Sequence, residues 1–151
     1  MRGRRKAREI ALQVLYSLIF VNIDAQDALE LFWGNFVAPK SAKDFAAFLV
    51  HGTCEHKEEL DKLIAGCSDN WSLGRMSRVD INILRLAVFE FLYCGDIPPN
   101  VTLNEAVDLG KTFGSENSGS FINGILDALN LKLNKKNAIK SVNRKSRSSK
   151  T

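Results

Sequence analysis

One stretch, Ser77 to Tyr93, constrains the fold more than any other part of the chain, because apolar side chains surround almost its whole circumference. A helix that is apolar on nearly every face is a buried one. The stretch is too short, and too interrupted by Arg85 and Glu90, to cross a bilayer. Ser77 and Asp80 have the spacing of a capping box at its start, and Gly95 stands where it should end. The sequence therefore predicts the central helix of a bundle.

The apolar spacing on either side of this stretch is also helical, and no strand pattern or internal repeat appears. We expect helices over residues 4–21, 24–36, 41–65, 102–113 and 118–132, with Trp71 packed on the core. A second capping box is expected at Thr102 and Glu105, and close packing of a neighbouring helix at Gly124. The prediction is an all-α protein, a compact bundle of six to seven helices.

Charge is divided unevenly along the 151 residues. Residues 1–8 hold five basic side chains and no acid, residues 132–151 hold eight and no acid, and the part between them has a net charge of −9. Both ends are therefore suited to a polyanion, whereas the folded body is not. We predict a helical domain over residues 1–133 and a flexible basic tail over residues 134–151, for which a purely solubilising role is the alternative.

The basic residues near the N-terminus lie on a predicted helix. Arg5, Arg8, Gln13 and Tyr16 fall on the helix face opposite the apolar stripe. Guanidinium groups for phosphates, with an aromatic ring for a base, are the combination that readers of single-stranded RNA use. A half-buried Tyr16 packed on a neighbouring residue is the alternative for that ring. The pattern predicts an RNA-binding surface on the first helix.

The sequence contains no motif of a phosphate-binding loop, a serine hydrolase or a metalloprotease, and no carboxylates spaced as an acid–base pair. His51, Cys54 and His56 are not followed by a second tight pair of ligands, so neither a metal nor a cofactor is expected. The three cysteines form no CxxC, and no signal-peptide pattern appears. We expect a non-enzymatic protein of the reducing cytoplasm, with no membrane partner.

Three blocks of residues resemble the bacterial NusB transcription antitermination factors, in that family's order and spacing. They run from Arg4 to Tyr16, from Arg78 to Glu90, and from Asn104 through Gly114 to Asp127. The resemblance implies two three-helix halves packed across each other and binding of the boxA segment of nascent ribosomal RNA leader transcripts. It also implies a partner, NusE, which is a small-subunit ribosomal protein, and a complex on RNA polymerase. A homodimer is a further partner that the resemblance allows.

By the same resemblance, two sets of residues contact these partners. Arg78 and Asp80, at the start of the central helix, are expected to face NusE. Asn117 stands where an acidic residue is common in relatives. The RNA-binding set combines the first helix with the turn before the last helix, which is expected to lie near it: Arg4, Arg5, Lys6, Arg8, Gln13, Tyr16, Lys111, Phe113, Ser115, Asn117 and Phe121.

Two other functions stay open from the sequence. The same helical module resembles the domain in front of some ribosomal RNA cytosine-5 methyltransferases, an assignment that needs a catalytic Rossmann-type domain not found in these 151 residues. A helical protein–protein adaptor with no nucleic-acid role is the other alternative. Contact between RNA and residues 4–16 would argue against the adaptor.

Overall fold

The architecture is a helical bundle built around the predicted central helix. A computed structural model describes residues 2–34, 38–68 and 72–148, and the side chains of residues 3–34, 38–68 and 72–134. This part of the chain contains seven α-helices and no strand, which confirms the all-α prediction. The helices are α1 (Arg2–Ser17), α2 (Ala25–Trp33), α3 (Lys40–Glu55), α4 (Lys57–Ala65), α5 (Arg78–Tyr93), α6 (Pro99–Phe113) and α7 (Ser118–Ser148).

The helix α5 is the element on which the others pack. It contacts α1, α3, α4, α6 and α7, and ten of its 16 residues are buried. Ser77 caps its start, because its hydroxyl oxygen accepts a hydrogen bond of 3.0 Å from the N–H of Asp80. The helices α1, α2 and α3 contact one another, and so do α5, α6 and α7, which confirms the two three-helix halves.

The helices α1 and α6 run in the same direction, because both lie antiparallel to α5. Arg8, early in α1, meets Glu90 near the end of α5, and Phe20, just after α1, lies beside Arg78 at the start of α5. Thr102, early in α6, also meets Glu90, and the turn after α6 reaches the start of α5. The ends of α1 and α6 therefore lie at the same end of the bundle.

The long third helix predicted over residues 41–65 is wrong, because the structure has two helices there. α3 ends at Glu55 and α4 begins at Lys57, with His56 between them at a φ of −102° and a ψ of 15°. The break turns α4 so that it packs on α5 and α7. The apolar spacing continues through the break, so the sequence pattern alone does not mark it.

The capping box predicted at Thr102 is also wrong. α6 begins at Pro99, whose fixed φ suits the first position of a helix. Thr102 consequently lies inside the helix and is buried, and its hydroxyl donates a hydrogen bond of 3.2 Å to Glu90 Oε1. The Thr102 hydroxyl, which the spacing assigned to the start of the helix, therefore binds the buried Glu90 carboxylate of α5 instead.

Several predicted boundaries also differ. α1 ends at Ser17, before the predicted end at residue 21, and α7 continues to Ser148, past the predicted end at residue 132. The division of the chain at residue 133 stays a prediction. Residues 35–37 and Trp71 lie outside the described residues. None of the helices described is long and apolar enough to cross a membrane.

Helices approach closely at Gly52, not at Gly124 as predicted. A Cβ atom at Gly52 would overlap the ring of Phe89, which is buried in the core, whereas nothing lies within 4 Å of a Cβ atom at Gly124. The ring of Phe89 therefore sits directly on the backbone of α3. Only a residue without a side chain fits beneath it.

We expect Gly52→Ala to lower the free energy of unfolding by about 3 kcal/mol, because the buried ring of Phe89 must move. Urea denaturation measures the change. Gly124→Ala, in the open interior of α7, is the matched control, and it should raise stability by about 0.5–1 kcal/mol through helix propensity. Equal stabilities of the two variants would contradict the close seating of Phe89 on α3.

Candidate nucleic-acid interface

The sequence predicted that Arg8 lies on an exposed helix face, but the structure places it inside the bundle. Its side chain is 5% exposed and forms a bidentate pair with Glu90, with Nη2 at 2.8 Å from Oε1 and Nε at 2.9 Å from Oε2. Glu105 of α6 stands 3.9 Å from its Nη1. The buried carboxylate on α5 draws the guanidinium inward, which a helical wheel of α1 alone does not reveal.

The guanidinium of Arg8 keeps its charge inside the bundle. Burial disfavours the charge of Arg8, but the hydrogen bonds and the charge of Glu90 outweigh it, so the pKa of Arg8 lies above its ordinary value. Burial, followed by the nearby charge of Glu90, raises the pKa of the Cys94 thiol to about 11. Arg8 and Glu90 therefore act as a fixed structural pair, and Cys94 beside them remains a neutral thiol at pH 7.

Three other cations of the predicted site are more accessible, and each pairs with a carboxylate. The side chains of Arg5 and Lys6 are 60% and 61% exposed, and that of Arg4 is 34% exposed. Exposed ion pairs of this kind contribute little stability, so the cations can exchange their partners. The pairs are Arg4 Nη2 to Asp96 Oδ2 at 2.9 Å, Arg5 Nη2 to Asp108 Oδ2 at 2.8 Å with Arg5 Nε also 3.6 Å from Glu105 Oε2, and Lys6 Nζ to Glu9 Oε2 at 3.8 Å.

Arg4 is held in place from two sides. Its guanidinium lies 5.3 Å from the centre of the Phe45 ring, and its hydrogen bond to Asp96 lowers the pKa of that carboxyl. The guanidinium of Arg8 lies over the same ring, at 5.7 Å. Arg4 and Arg8 are therefore positioned by packing on Phe45 of α3 as well as by charge.

Tyr16 stands at the opposite end of α1 from Arg5, about 16 Å away at 1.5 Å per helical residue. It is 39% exposed, and its ring packs edge-on against Phe20 at 5.1 Å. The guanidinium of Arg78 lies 5.2 Å from the centre of the Phe20 ring. Tyr16, Phe20 and Arg78 thus form one cluster of two rings and a cation, which we call the aromatic cluster. Gln13 is exposed on the same helix.

Phe20 is a member of this cluster that the sequence analysis missed. It is 60% exposed, although phenylalanine is usually buried. The one signal in the sequence is its position four residues after Tyr16, which places two rings on one side of the chain.

The turn between α6 and α7 is ordered by Ser118. Its Oγ accepts a hydrogen bond of 2.9 Å from the N–H of Ser115. A Cβ atom at Gly114 would overlap the Ser118 side chain, so this position requires glycine. Lys111 and Phe113 are exposed at the end of α6, and Ser115 and Asn117 are exposed in the turn.

A cavity of about 260 Å³ joins this turn to the start of α5. Ser115, Asn117 and Phe121, from the predicted RNA-binding set, line it together with Asp80, from the predicted partner-binding set. Asp80 is only 8% exposed, whereas Arg78 is exposed. The structure therefore separates the two predicted partner residues and places Asp80 beside the turn that is predicted to bind RNA.

The predicted RNA-binding residues lie in three groups. Arg4, Arg5 and Lys6 stand at the start of α1, Tyr16 at its end, and the α6–α7 turn at the start of α5. Arg5 connects the first group to α6, because its partner Asp108 is one helical turn before Lys111. Arg8 alone among the predicted set is buried.

The histidines considered as metal ligands have other partners. His51 Nε2 lies 3.0 Å from Gln26 Oε1, and the ring of His56 stacks on Tyr93 at 4.4 Å. In the described part of the chain, no group of three or more His, Cys, Asp or Glu residues could hold a metal ion.

The fold and the exposed side chains define a class of protein: a small all-α module that packs around one central helix and exposes cationic, aromatic and amide side chains. A family model described as the NusB family matches residues 5–130. The transcription antitermination protein NusB of Syntrophus aciditrophicus (strain SB) is 61% identical over 137 residues, which are 91% of this chain and 85% of that protein. The chain belongs to the NusB family.

Solved structures agree with this assignment. A structure of T. maritima NusB is 39% identical, with a TM-score of 0.77, and covers 83% of this chain and 89% of its own. A structure of the antitermination factors NusB and NusE in complex with dsRNA gives 32% identity and a TM-score of 0.76 over 85% of this chain and 96% of that one. The described fold is therefore the fold of this family.

We expect Arg8→Ala to lower the free energy of unfolding by about 3–5 kcal/mol, because it leaves the charge of Glu90 buried and unpaired. Chemical denaturation of the free protein measures this. Arg5→Ala, on the same helix but exposed, is the matched control and should change stability by less than about 1 kcal/mol. If both variants lose the same small amount, Arg8 is not the structural residue described above.

Proposed function

We propose that this chain is a transcription antitermination factor that binds boxA-type single-stranded RNA together with NusE and promotes ribosomal RNA transcription. The observation that carries the proposal is the group of Arg4, Arg5 and Lys6, partly exposed at the start of α1, the helix that also carries Gln13 and Tyr16. The protein acts by binding and not by catalysis, in the cytoplasm and within a complex on RNA polymerase.

Arg4 and Arg5 bind the RNA backbone by exchanging their carboxylate partners for phosphate groups. In the free protein, Asp96 and Asp108 hold the guanidinium groups of Arg4 and Arg5 in place. Phosphate oxygens accept the same forked hydrogen bonds as carboxylates, so the RNA backbone replaces these acids without a change in the helix. Preordered side chains lose less conformational entropy on binding than a loose basic segment would.

The rings and amides contact the bases. Tyr16 and Phe113 each expose part of a ring, at 39% and 37% exposure, and base stacking on such rings contributes affinity without strict sequence preference. Gln13, Lys111, Ser115, Asn117 and Phe121 complete the RNA-binding set. Asn117 adds no negative charge to the turn, which suits an RNA-facing position.

NusE is proposed to cover Phe20 and Arg78 of the aromatic cluster, while Tyr16 contacts the RNA. Arginine is enriched among the residues that dominate protein–protein binding energies, and the exposed ring of Phe20 lies beside Arg78 at the start of α5. Asp80 is nearly buried and lies outside this cluster. The predicted homodimer stays a prediction.

The relatives favour this function over the other two. The matched relative carries the antitermination name over 85% of its own length, with no methyltransferase in that name. The solved complex of NusB and NusE with dsRNA contains an RNA as well as a protein partner. An adaptor with no nucleic-acid role would not account for the RNA.

The decisive experiment measures binding of a boxA-type single strand to the chain, with and without NusE, over a range of salt concentrations. We expect Arg4→Ala and Arg5→Ala each to weaken RNA binding and to reduce the slope of log affinity against log salt by about 0.7, because each removes one phosphate contact with single-stranded RNA.

Lys62→Ala, which removes one exposed cation from α4 and lies outside the proposed RNA-binding set, is the control and should leave the slope nearly unchanged. The proposed function fails if the strand does not bind, or if the two arginine variants behave like Lys62→Ala.

A second prediction concerns the acids that hold the arginines. We expect Asp108→Asn to tighten RNA binding by up to about fivefold, because Arg5 loses the shorter of its two carboxylate pairs and keeps only Glu105, at 3.6 Å, in competition with phosphate. Asp127→Asn removes an exposed carboxylate from α7 and is the matched control for net charge. An equal gain for both variants would mean that only net charge matters and that no exchange takes place at Arg5.

A further inference from the structure

A cleft lies between the start of α1 and the first half of α3, on the side of α1 that carries Arg4. Its volume is about 510 Å³, which is within the range of pockets that enclose small ligands. We call it the α3 cleft, and it is lined by Gly3, Arg4, Ser41, Asp44, Phe45 and Phe48. A member of the proposed RNA-binding set therefore also lines a cleft whose other side belongs to α3.

Phe48 presents an exposed ring to this cleft. It is 50% exposed, although phenylalanine is usually buried. Its ring meets the ring of Phe89, with 5.3 Å between the two centres and a tilt of 57° between the planes, so Phe89 does not stack flat on it. Phe89 is itself buried against the backbone of α3 at Gly52. The ring of Phe48 is therefore held in position before any ligand binds.

Phe45 and Phe48 have different tasks, although their spacing places them on one face of α3. The guanidinium groups of Arg4 and Arg8 lie over the ring of Phe45, at 5.3 and 5.7 Å. Phe45 thus positions the cation, and Phe48 supplies an open ring in the same cleft. This combination suits one nucleotide, because guanidinium groups bind phosphates and aromatic rings stack on bases.

We propose that Phe48 is a stacking platform for one base of the bound RNA, with a neighbouring phosphate paired to Arg4. The inference rests on the proposed RNA-binding function and extends that surface from α1 onto α3. Asp44, whose exposed carboxylate repels phosphate, favours the orientation with the phosphate at Arg4. Every base has a π-face, so this position should add affinity and little sequence preference.

The position of the cleft favours RNA over a protein partner. Arg4 stands beside Arg5 and Lys6 at one end of α1, and its pair with Asp96 is partly exposed and can be exchanged. The proposed NusE surface begins beyond Ser17 at the other end of α1, about 20 Å from Arg4 at 1.5 Å per helical residue. A strand bound along the cations of α1 reaches Phe48 without crossing that surface.

The test titrates the full chain with a single strand that holds the boxA segment and several flanking nucleotides on both sides, with an abasic site placed at each position in turn. We expect one position at which loss of the base weakens binding about tenfold, whereas exchange of that base for any other changes binding by less than about twofold.

Phe48→Leu, which keeps an apolar side chain but removes the ring, should weaken binding of the intact strand by a similar factor. It should have little further effect on the strand that is abasic at the sensitive position. Such non-additive effects identify two groups that contact each other.

Two control variants support the interpretation. Phe48→Tyr keeps the ring and should bind every strand as the unchanged protein does. Leu131→Ala removes an exposed apolar side chain from α7 and should leave all affinities unchanged. The abasic series uses the unchanged protein, so a folding defect of Phe48→Leu cannot produce its result.

Each other outcome overturns the proposal. If RNA binds but no abasic position behaves in this way, if the effects of Phe48→Leu and the abasic site simply add, or if Phe48→Tyr loses as much affinity as Phe48→Leu, the stacking platform is wrong and the antitermination function stands. If Phe48→Leu weakens binding of NusE or self-association and leaves RNA binding unchanged, the ring belongs to a protein interface. If the strand does not bind at all, both proposals fall.

Discussion

The buried pair of Arg8 and Glu90 is the interaction on which the arrangement of the surface depends. It joins α1 to α5, and Thr102 and Glu105 bring α6 to the same pair of charges. A buried ion pair adds little net stability, but either member is costly without the other. The helices α1 and α6 consequently cannot slide along α5, since any shift would leave a buried charge unpaired. The pair therefore fixes the positions of α1 and α6 along α5.

This register accounts for two kinds of arginine in one short segment. Arg8 is buried in its pair with Glu90. Arg4 and Arg5, one helical turn earlier, remain accessible and pair with Asp96 and Asp108. The body has a net charge of −9, yet its carboxylates do not simply repel a polyanion. Asp96 and Asp108 hold the guanidinium groups in the positions that phosphates are proposed to take. A negatively charged fold can thus present an ordered cationic surface.

The start of α5 is where the two proposed binding surfaces meet. Arg78 and Asp80 are two residues apart, and residues at that spacing face different directions on a helix. Arg78 joins Tyr16 and Phe20 in the aromatic cluster, whereas Asp80 lines the cavity with Asn117 and Phe121. The proposed NusE surface and the cavity beside the α6–α7 turn therefore lie on different sides of the same helical turn.

The sequence determined the features that depend on residues close together in the chain. The apolar circumference of residues 77–93 predicted the central helix, and Ser77 predicted its cap. Helix periodicity and capping are local properties, so one chain segment is enough to show them. The family resemblance added the two three-helix halves and the set of surface residues.

Only the tertiary structure decided which of those residues are accessible and which are paired. Arg8 is buried because it pairs with Glu90, which is 82 positions away in the chain. Thr102, predicted to cap α6, instead donates a hydrogen bond to the same carboxylate. The break at His56 and the cavity at Asp80 likewise depend on which helices come to pack together. The energies of such contacts come from groups distant in sequence, and the local pattern around each residue carries no record of them.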